Sequence, residues 1–326
     1  VLPPIKSWVL LALVFTPDCG AQFGDGEKEV QKESVGNSLD LTRRRIISLL
    51  LPRHVNWLAS REGMKLNIKI VDAFTTKQFC GNQAAVVMLE SWLSAELMQS
   101  IASENNLSET AFVVPDSFRG YEIRWFSPLK EIDFCGHATL ASAFVIFSSN
   151  TVLSEITFWA KAVGNVIVKK GENGLIKMTF PNRAPVELVE VPENLKDGLS
   201  ILPVTYLKNQ QAYFAVMENE EQVRRVFPDL EKLKELGPLD VVVTARGKEF
   251  DFVSRYFWPA NGGDEDPVTG SIHAGLAPYW AKILNKKELV ALQASSRSGV
   301  LYCKVEHSTV FVSGFCVSYL DGVIYI

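Results

Sequence analysis

Residues 261–280, NGGDEDPVTGSIHAGLAPYW, place two incompatible kinds of sequence on either side of one glycine. Before Gly270 the stretch is polar and turn-forming. From Ser271 to Trp280 it is nearly uncharged, with Ile272, Ala274, Leu276, Ala277, Tyr279 and Trp280. A helix that is apolar on every face is a buried one, so the pattern predicts a loop feeding a buried helix, Ser271 to Leu284. The first turn of such a helix carries unpaired N–H groups and the positive end of its dipole. That end attracts an anion.

The same device occurs upstream in FCGHATLASAFVIF, residues 134–147, where Gly136 and His137 open a run of small and apolar residues. The likeness extends backwards. Arg124-Trp125-Phe126-Ser127-Pro128 precedes the first glycine and Arg255-Tyr256-Phe257-Trp258-Pro259 precedes the second. The arginines are 131 positions apart and the glycines 134, a period too long for a solenoid of 20–50-residue repeats. Two similar lobes are the simpler reading, with both helix starts converging on one cleft that holds a carboxylate.

Composition limits the alternatives. The chain has 326 residues, 47% hydrophobic and 21% charged, ordinary for a globular protein of about two domains. A formal charge of −4 supplies no basic field for nucleic acid. Five cysteines, at 19, 80, 135, 303 and 316, are odd in number and scattered with no CxxC. They argue against a disulfide framework and for a reducing, cytoplasmic setting.

Residues 1–63 read differently from the rest. WVLLALVF (8–15) has the look of a short signal-peptide core, too short to span a bilayer, and Arg43-Arg44-Arg45 follows a polar stretch. A secretory leader, an Arg-rich organelle leader and a non-native extension ahead of Met64 compete, and the last is favoured because a strand-first domain opens at Met64. From there Leu66, Ile68 and Ile70 alternate as a half-buried strand. Ser94 is placed to cap a helix running to about Asn105. Strands are expected near Ala84–Leu89, Ala111–Val114, Tyr121–Phe126, Ile156–Trp159, Val163–Val168 and Leu175–Phe180. Pro181 to Pro203, with four prolines, marks the boundary between a first lobe, 64–180, and a second, 181–326. The second lobe is expected to repeat the plan: a strand at Ala212–Met217, a helix near Glu220–Leu236, strands at Val241–Thr244 and Phe250–Trp258, the buried helix, and a strand-like tail. No stretch suggests a membrane span, a coiled coil or low complexity. The class is α+β, two pseudo-symmetric mixed-sheet lobes each wrapped around a central apolar helix.

GNQAAVV (81–87), NLSETAFV (106–113), RWFSP (124–128), FCGHATLA (134–141) and EDPVTGSIHA (265–274) together resemble the phenazine-biosynthesis PhzF-like isomerases. Five motifs in order are specific, and they cover residues 64–326 but none of the leader. The resemblance implies a diaminopimelate-epimerase-like fold, an active site between the lobes, no cofactor, and a homodimer. In this fold the last strand often returns to the first lobe. Gln83 departs from the pattern, which more often has proline there, and this loosens the turn without removing a catalytic group. Cys135 stands where cysteine-dependent epimerases of this fold carry one of two thiols. Nothing at Thr269 to Ser271 supplies the second, which disfavours a two-thiol racemase and leaves Cys135 a small buried residue.

Moving a proton between carbons of a small carboxylate needs one group that takes a proton and returns it, and polar groups that absorb developing charge. Glu109, where a helix gives way to a strand, is the candidate acid/base, the role the resemblance gives to the Glu of its SET motif. The bland reading is a turn-capping carboxyl facing solvent. His137 follows Gly136 at a helix start and is expected to act as a neutral imidazole, and Ser271 follows Gly270 as its symmetric counterpart. The resemblance adds Asp266, bonding a substrate amino or hydroxyl group. An ordinary N-cap for Ser271 and turn chemistry before Pro267 for Asp266 are the plain alternatives. Backbone N–H groups around Gly136 and Gly270, with Thr269 beside them, are expected to hold the carboxylate. A metal site from Cys135, His137, His273, Asp264 and Asp266 lacks the spacings of zinc or calcium sites, and His273, inside the apolar helix, reads as a core or supporting group. The rival from another class is a non-catalytic small-molecule-binding or regulatory protein with the same fold and cleft.

Overall fold

In the computed structural model, which describes residues 63–326, the alternation of Leu66, Ile68 and Ile70 becomes β1 (Lys65–Ala73). The first half continues through β2 (Asn82–Met88), α1 (Ala95–Asn105), β3 (Glu109–Asp116), β4 (Gly120–Phe126), β5 (Glu131–Ile132) and α2 (Gly136–Ser149). It closes with β6 (Glu155–Ala160), β7 (Gly164–Lys170), β8 (Ile176–Pro181) and β9 (Val186–Glu187). The second half runs α3 (Glu193–Asp197), β10 (Thr205–Lys208), β11 (Ala212–Val216), α4 (Glu220–Arg225), α5 (Leu230–Lys234), β12 (Asp240–Arg246), β13 (Phe252–Trp258) and β14 (Gly263–Asp266). It ends with α6 (His273–Leu284), β15 (Glu288–Gln293), β16 (Gly299–Glu306), β17 (Thr309–Gly314) and β18 (Cys316–Tyr325).

The two halves have the same pairing scheme. β1–β2 is antiparallel, β2–β3 parallel, β3–β4 antiparallel and β4–β6 parallel. β10–β11, β11–β12, β12–β13 and β13–β15 repeat that order of senses. The halves are stitched where β8 pairs with β17. Each half also sends its last strand to the other: β9 pairs with β10, and β18 pairs with β1 along its length. The repeated arginines do the same work in each half. Arg124 makes a two-pronged pair with Glu131 at 2.6 and 2.7 Å, and Arg255 with Glu265 at 2.8 Å twice, so each clips its short strand, β5 or β14, to its neighbour.

Strand register makes the symmetry residue-specific. Ala84 lies opposite Glu109 and Ala111 opposite Trp125, while Ala212 lies opposite Asp240 and Val242 opposite Tyr256. Asp240 therefore occupies in the second lobe the place Glu109 holds in the first.

α2 and α6 lie in the core, as their uncharged sequences require. Gly136 to Ala143 is buried without a break, and the hydroxyls of Thr139 and Ser142 turn back onto the carbonyls of Cys135 and Ala138 at 2.6 and 2.7 Å, which satisfies them inside an apolar environment. Pro278 inside α6 cannot donate to the Ala274 carbonyl; the Arg183 N–H takes its place at 3.0 Å. α1 is capped by Ser94, whose side chain accepts from Leu97 N, and it turns Met98, Ile101 and Ala102 onto Ile68, Val87 and Phe112.

Two expectations are corrected. The single helix near Glu220–Leu236 is two, α4 and α5, capped by Asn219 and Asp229, because the chain is extended at Val226 and Pro228 follows. The buried helix begins at His273 rather than Ser271. Residues 270–272 form a tighter turn in which His273 N and Ala274 N reach back to Gly270 and Ser271 carbonyls. The leader readings concern residues 1–63 and lie, but for Gly63, outside the described residues. Among the described residues no helix is long and apolar enough to cross a membrane.

Candidate active site

The starts of α2 and α6 meet. A Cβ placed on Gly136 would lie 3.7 Å from both Gly270 Cα and Ser271 N, so the two backbones stand in near contact at this point. The first N–H groups of α2, at Gly136 and His137, have no acceptor within the helix, and the Gly270 and Ser271 N–H groups in the turn before α6 have no backbone acceptor among the described residues either. They line a cavity of about 140 Å³ together with Glu109, Cys135, His137, Gln211, Asp240, Tyr256, Asp266 and Thr269. A larger groove of about 670 Å³ lies over Trp92, Trp125 and Trp159, where Arg124 and Glu131 are spent on each other.

Glu109 opens β3 and is only 5% exposed, which excludes a turn cap facing solvent. Its Oε2 sits 3.0 Å from His137 Nε2, yet no hydrogen bond of good direction reaches that oxygen. His137 is equally buried. Burial pushes its imidazole down, but the acidic neighbours Cys135 and Glu109 more than reverse this, and its pKa stands well above the usual histidine value. Burial, with the Glu109 charge adding to it, pushes the Cys135 thiol up to about 11. The Cys135 thiol and the Glu109 carboxyl are thus the two acidic groups set against the ring, the Sγ at 3.4 Å from Nδ1 and the Oε2 at 3.0 Å from Nε2. His137, expected as a neutral imidazole, has its Nε2 on a buried carboxylate that the local sequence around Gly136 does not reveal, and its Nδ1 stands 3.1 Å from Asn82 Nδ2.

Asp266 is wired differently. Its Oδ1 accepts from Asn82 Nδ2 at 2.7 Å and its Oδ2 from Thr269 Oγ1 at 2.5 Å. Burial pushes its pKa up, with Glu109 adding, while His137, Thr269 and Asn82 oppose. The same Asn82 nitrogen also faces Val268 O at 3.0 Å and His137 Nδ1 at 3.1 Å, and Asn82 Oδ1 accepts from Ser108 Oγ at 3.2 Å. Thr269 has its N–H on Gln293 Oε1 at 2.9 Å. With both its polar groups engaged, Thr269 orients Asp266 rather than standing free in the cleft.

Ser271 caps no helix; Ile272 holds the cap position of α6. The Ser271 Oγ instead accepts from Gln211 Nε2 at 2.9 Å. The same amide nitrogen donates to Tyr256 OH at 3.2 Å, and Tyr256 OH donates to Asp240 Oδ2 at 2.5 Å. Asp240 Oδ1 accepts from Asn261 Nδ2 at 2.8 Å. Burial pushes the Asp240 pKa up against those two bonds.

The expected group at Glu109, Gly136, His137, Asp266, Thr269, Gly270 and Ser271 is therefore brought together around one cavity. Asn82, Gln211, Asp240, Tyr256 and Gln293 were not expected there. Asn82 lay within a quoted motif and Tyr256 within the repeated Arg-aromatic-Phe-x-Pro segment; the others carry no local signal. Among the described residues, Glu109, Cys135 and His137 have donor atoms within 4.8 Å of one another and form the only gathered set of metal-ligand type. Burial pushes the Cys135 thiol up to about 11, so a metal binding there would have to displace its proton. His273 is held apart: its Nδ1 donates to Thr269 O at 2.9 Å, and burial pushes it down to about 4, so it is a neutral core group. Asp264 is exposed.

The sequence profile of the phenazine biosynthesis-like protein family matches residues 71–322. An uncharacterized isomerase of Pseudomonas aeruginosa is 44% identical over 259 residues, covering 79% of this chain and 98% of its own. The crystal structure of a phenazine biosynthesis protein of the PhzF family from Enterococcus faecalis superposes with a TM-score of 0.77 at 41% identity, covering 81% of this chain and 100% of that one. A hydroxyproline epimerase from Agrobacterium vitis superposes with a TM-score of 0.54 at 10% identity, covering 82% and 94%, a likeness of fold alone.

Proposed function

The chain belongs to the phenazine biosynthesis-like (PhzC-PhzF) family and is an isomerase, and on that footing we propose that it moves a proton between carbons of a small carboxylate-bearing metabolite, with no cofactor. Glu109 takes the proton and returns it. His137, with Nε2 at 3.0 Å from Glu109, orients that carboxyl and offers its ring N–H where negative charge develops. The free N–H groups around Gly136 and Gly270, with the Ser271 hydroxyl, seat the substrate carboxylate. Asp266 accepts from a hydroxyl or amino group of the substrate.

One observation carries the choice of base. Three carboxylates line the cavity, and two of them, Asp240 and Asp266, have a hydrogen-bond donor on each oxygen. Although burial pushes both of their pKa values up, the lone pairs of a carboxylate so satisfied are already engaged and are not directed at a substrate C–H bond. Glu109 alone has a buried oxygen that no well-directed donor reaches. It is the group left with a lone pair to offer to a C–H bond.

The chemistry balances without an outside reagent. A proton passes from one carbon to the Glu109 carboxylate while the electron pair of that C–H bond spreads into the unsaturated, carboxylate-bearing skeleton. The charge that accumulates faces His137 and the two helix starts, where preorganised donors are worth most. The same proton then returns to a second carbon.

The test is proton exchange with solvent. Wild-type and Glu109→Gln protein are incubated in D₂O with a panel of small cyclic and acyclic carboxylates, read by mass shift and by product NMR. Label or product that forms with wild type and falls by about 10²-fold or more with Glu109→Gln supports the reading. An unaffected variant refutes it. Compounds that raise the melting temperature but never turn over favour a binding protein instead.

A further inference from the structure

The wiring from Asp240 to Ser271 has a direction. A carboxylate only accepts, so Tyr256 OH must donate to Asp240 Oδ2. The Tyr256 oxygen then has no proton left and must accept from Gln211, which places the Gln211 amide nitrogen, not its oxygen, at that contact. Logic of this kind is what assigns an amide orientation. The same nitrogen also faces Ser271 Oγ. Ser271 Oγ therefore accepts from Gln211, and its own proton is free. The far end of the wire is equally fixed, because Asn261 Nδ2 donates both to Pro238 O at 3.1 Å and to Asp240 Oδ1. The cost of this arrangement shows at Gln211 Oε1, which is buried with no partner.

We propose that Asp240, through Tyr256 and Gln211, commits the Ser271 hydroxyl to donate into the cleft, so that this end of the site takes an anionic hydrogen-bond acceptor and rejects a donor. The inference rests on the reading that Ser271 touches the substrate. Asp240 and Tyr256 are then positioning residues: they do not meet the reacting atoms but set the polarity of the residue that meets the carboxylate. The two halves of the fold thus use one sheet position for opposite ends. Glu109 is left unsatisfied; its counterpart Asp240 is saturated and points a chain of hydrogen bonds.

Asp240→Asn preserves shape and inverts the wire. Asn261 keeps an acceptor oxygen in front of it, which turns the new amide nitrogen onto Tyr256. Tyr256 then accepts there and donates to Gln211, Gln211 flips its oxygen towards Tyr256 and Ser271, and the Ser271 proton is drawn onto that oxygen and away from the cleft. A change of one atom, two hydrogen-bond partners removed from Ser271, should act as Ser271→Ala does.

Neutron diffraction from deuterated crystals of the full chain reads the wire directly. The expected wild-type result is a deuteron of Tyr256 on Asp240 Oδ2 and a Ser271 deuteron directed away from Gln211. A Ser271 deuteron on Gln211 overturns the inference, whatever any variant does. In solution, calorimetry with benzoate as the carboxylate probe compares Ser271→Ala, Asp240→Asn and the double variant. A bond from a hydroxyl to a charged group is worth about tenfold or more in affinity. Ser271→Ala and Asp240→Asn are each expected to lose that factor, and the double variant no more than either. Wild-type benzoate affinity in Asp240→Asn, where Ser271→Ala weakens it, also overturns the inference. Unchanged affinity in Ser271→Ala removes the carboxylate seat itself, and so fails the proposed function, while the deuteron positions still decide the wiring.

Discussion

Gly136→Ala separates the stability of the helix junction from its use. The backbone at Gly136 is not left-handed, so alanine adopts it without strain. The added methyl would stand 3.7 Å from Gly270 Cα and Ser271 N and 3.8 Å from Phe134 Cε1, all ordinary van der Waals contacts. Replacing glycine by alanine inside a helix gains roughly 0.5–1 kcal/mol, so the fold should be as stable as wild type or slightly more so. In a protein of this size that corresponds to a rise of about 2–4 °C at most. The site cannot accommodate the same change. The methyl lies between the two helix starts, where a carboxylate oxygen would need to sit about 2.7–3.1 Å from the N–H groups. Displacement of a bound group by about 1 Å costs on the order of 10²-fold. The expected result is therefore a melting temperature at or above that of wild type with kcat/KM reduced by about 10²-fold or more, measured by differential scanning fluorimetry and by the proton-exchange assay. Wild-type kcat/KM in the folded variant would refute the placement of the carboxylate between the helices. Gly270→Ala is the wrong probe for this question, since its Cβ would meet Phe74 Cζ at 3.0 Å and confound packing with function.

Cys135→Ala should leave the isomerase rate within about threefold, because a thiol held up at about 11 supplies no thiolate at neutral pH; loss of activity in that variant would restore a thiol mechanism. The His137–Glu109 pair should contribute stability that is full below the ordinary histidine value of about 6.5 and is lost as pH rises through the raised native value, since the folded state binds the proton more tightly. Urea titrations across that range test it, and the slope with pH should flatten in Glu109→Gln. Arg297→Met should cost about 3–5 kcal/mol, because Asp72 is 1% exposed and would keep only the Phe79 N–H when the Arg297 guanidinium at 2.8 Å is removed. A urea midpoint that moves by less than the equivalent of 1 kcal/mol would show that Asp72 has another compensating partner.

What could be read from the chain was what short-range physics writes into it. Ser94 and the apolar residues three and four positions on define α1; Gly136 and Gly270, each followed by an uncharged run, define the two buried helices and the place where they converge. The repeated Arg-aromatic-Phe-x-Pro segments announced two lobes, and the structure gives both arginines the same task of clipping a short strand. The break at Pro228 was also legible, since proline ends a helix by removing a donor, and the expectation of one helix across it gave periodicity too much weight. The polar wiring was not legible. Asn82 and Asp266 are 184 positions apart, and Gln211 and Ser271 are 60 apart. A glutamine bonded to a serine across a cleft leaves no periodicity and no local composition behind. The pairing of His137 with Glu109 is hidden for the same reason, because the carboxylate comes from a distant strand.

The comparison of Glu109 with Asp240 shows why the fold could be inferred further than the chemistry. Sheet register puts both carboxylates at one position of a duplicated lobe, and both border one cavity. Position alone would make either of them the base. The distinction comes from what surrounds each: Tyr256 and Asn261 donate to both oxygens of Asp240, while Glu109 meets the His137 ring at 3.0 Å in a direction that leaves an oxygen without a proper hydrogen bond. None of those neighbours is demanded by the lobe's architecture. Trp125, which has no phenolic oxygen to donate, stands in the first lobe where Tyr256 stands in the second. With that one aromatic exchanged, the donor that saturates Asp240 has no counterpart beside Glu109. The duplicated scaffold thus supplies two carboxylates facing one cavity, and the hydrogen-bond donors around them engage both oxygens of Asp240 while leaving a Glu109 oxygen without one.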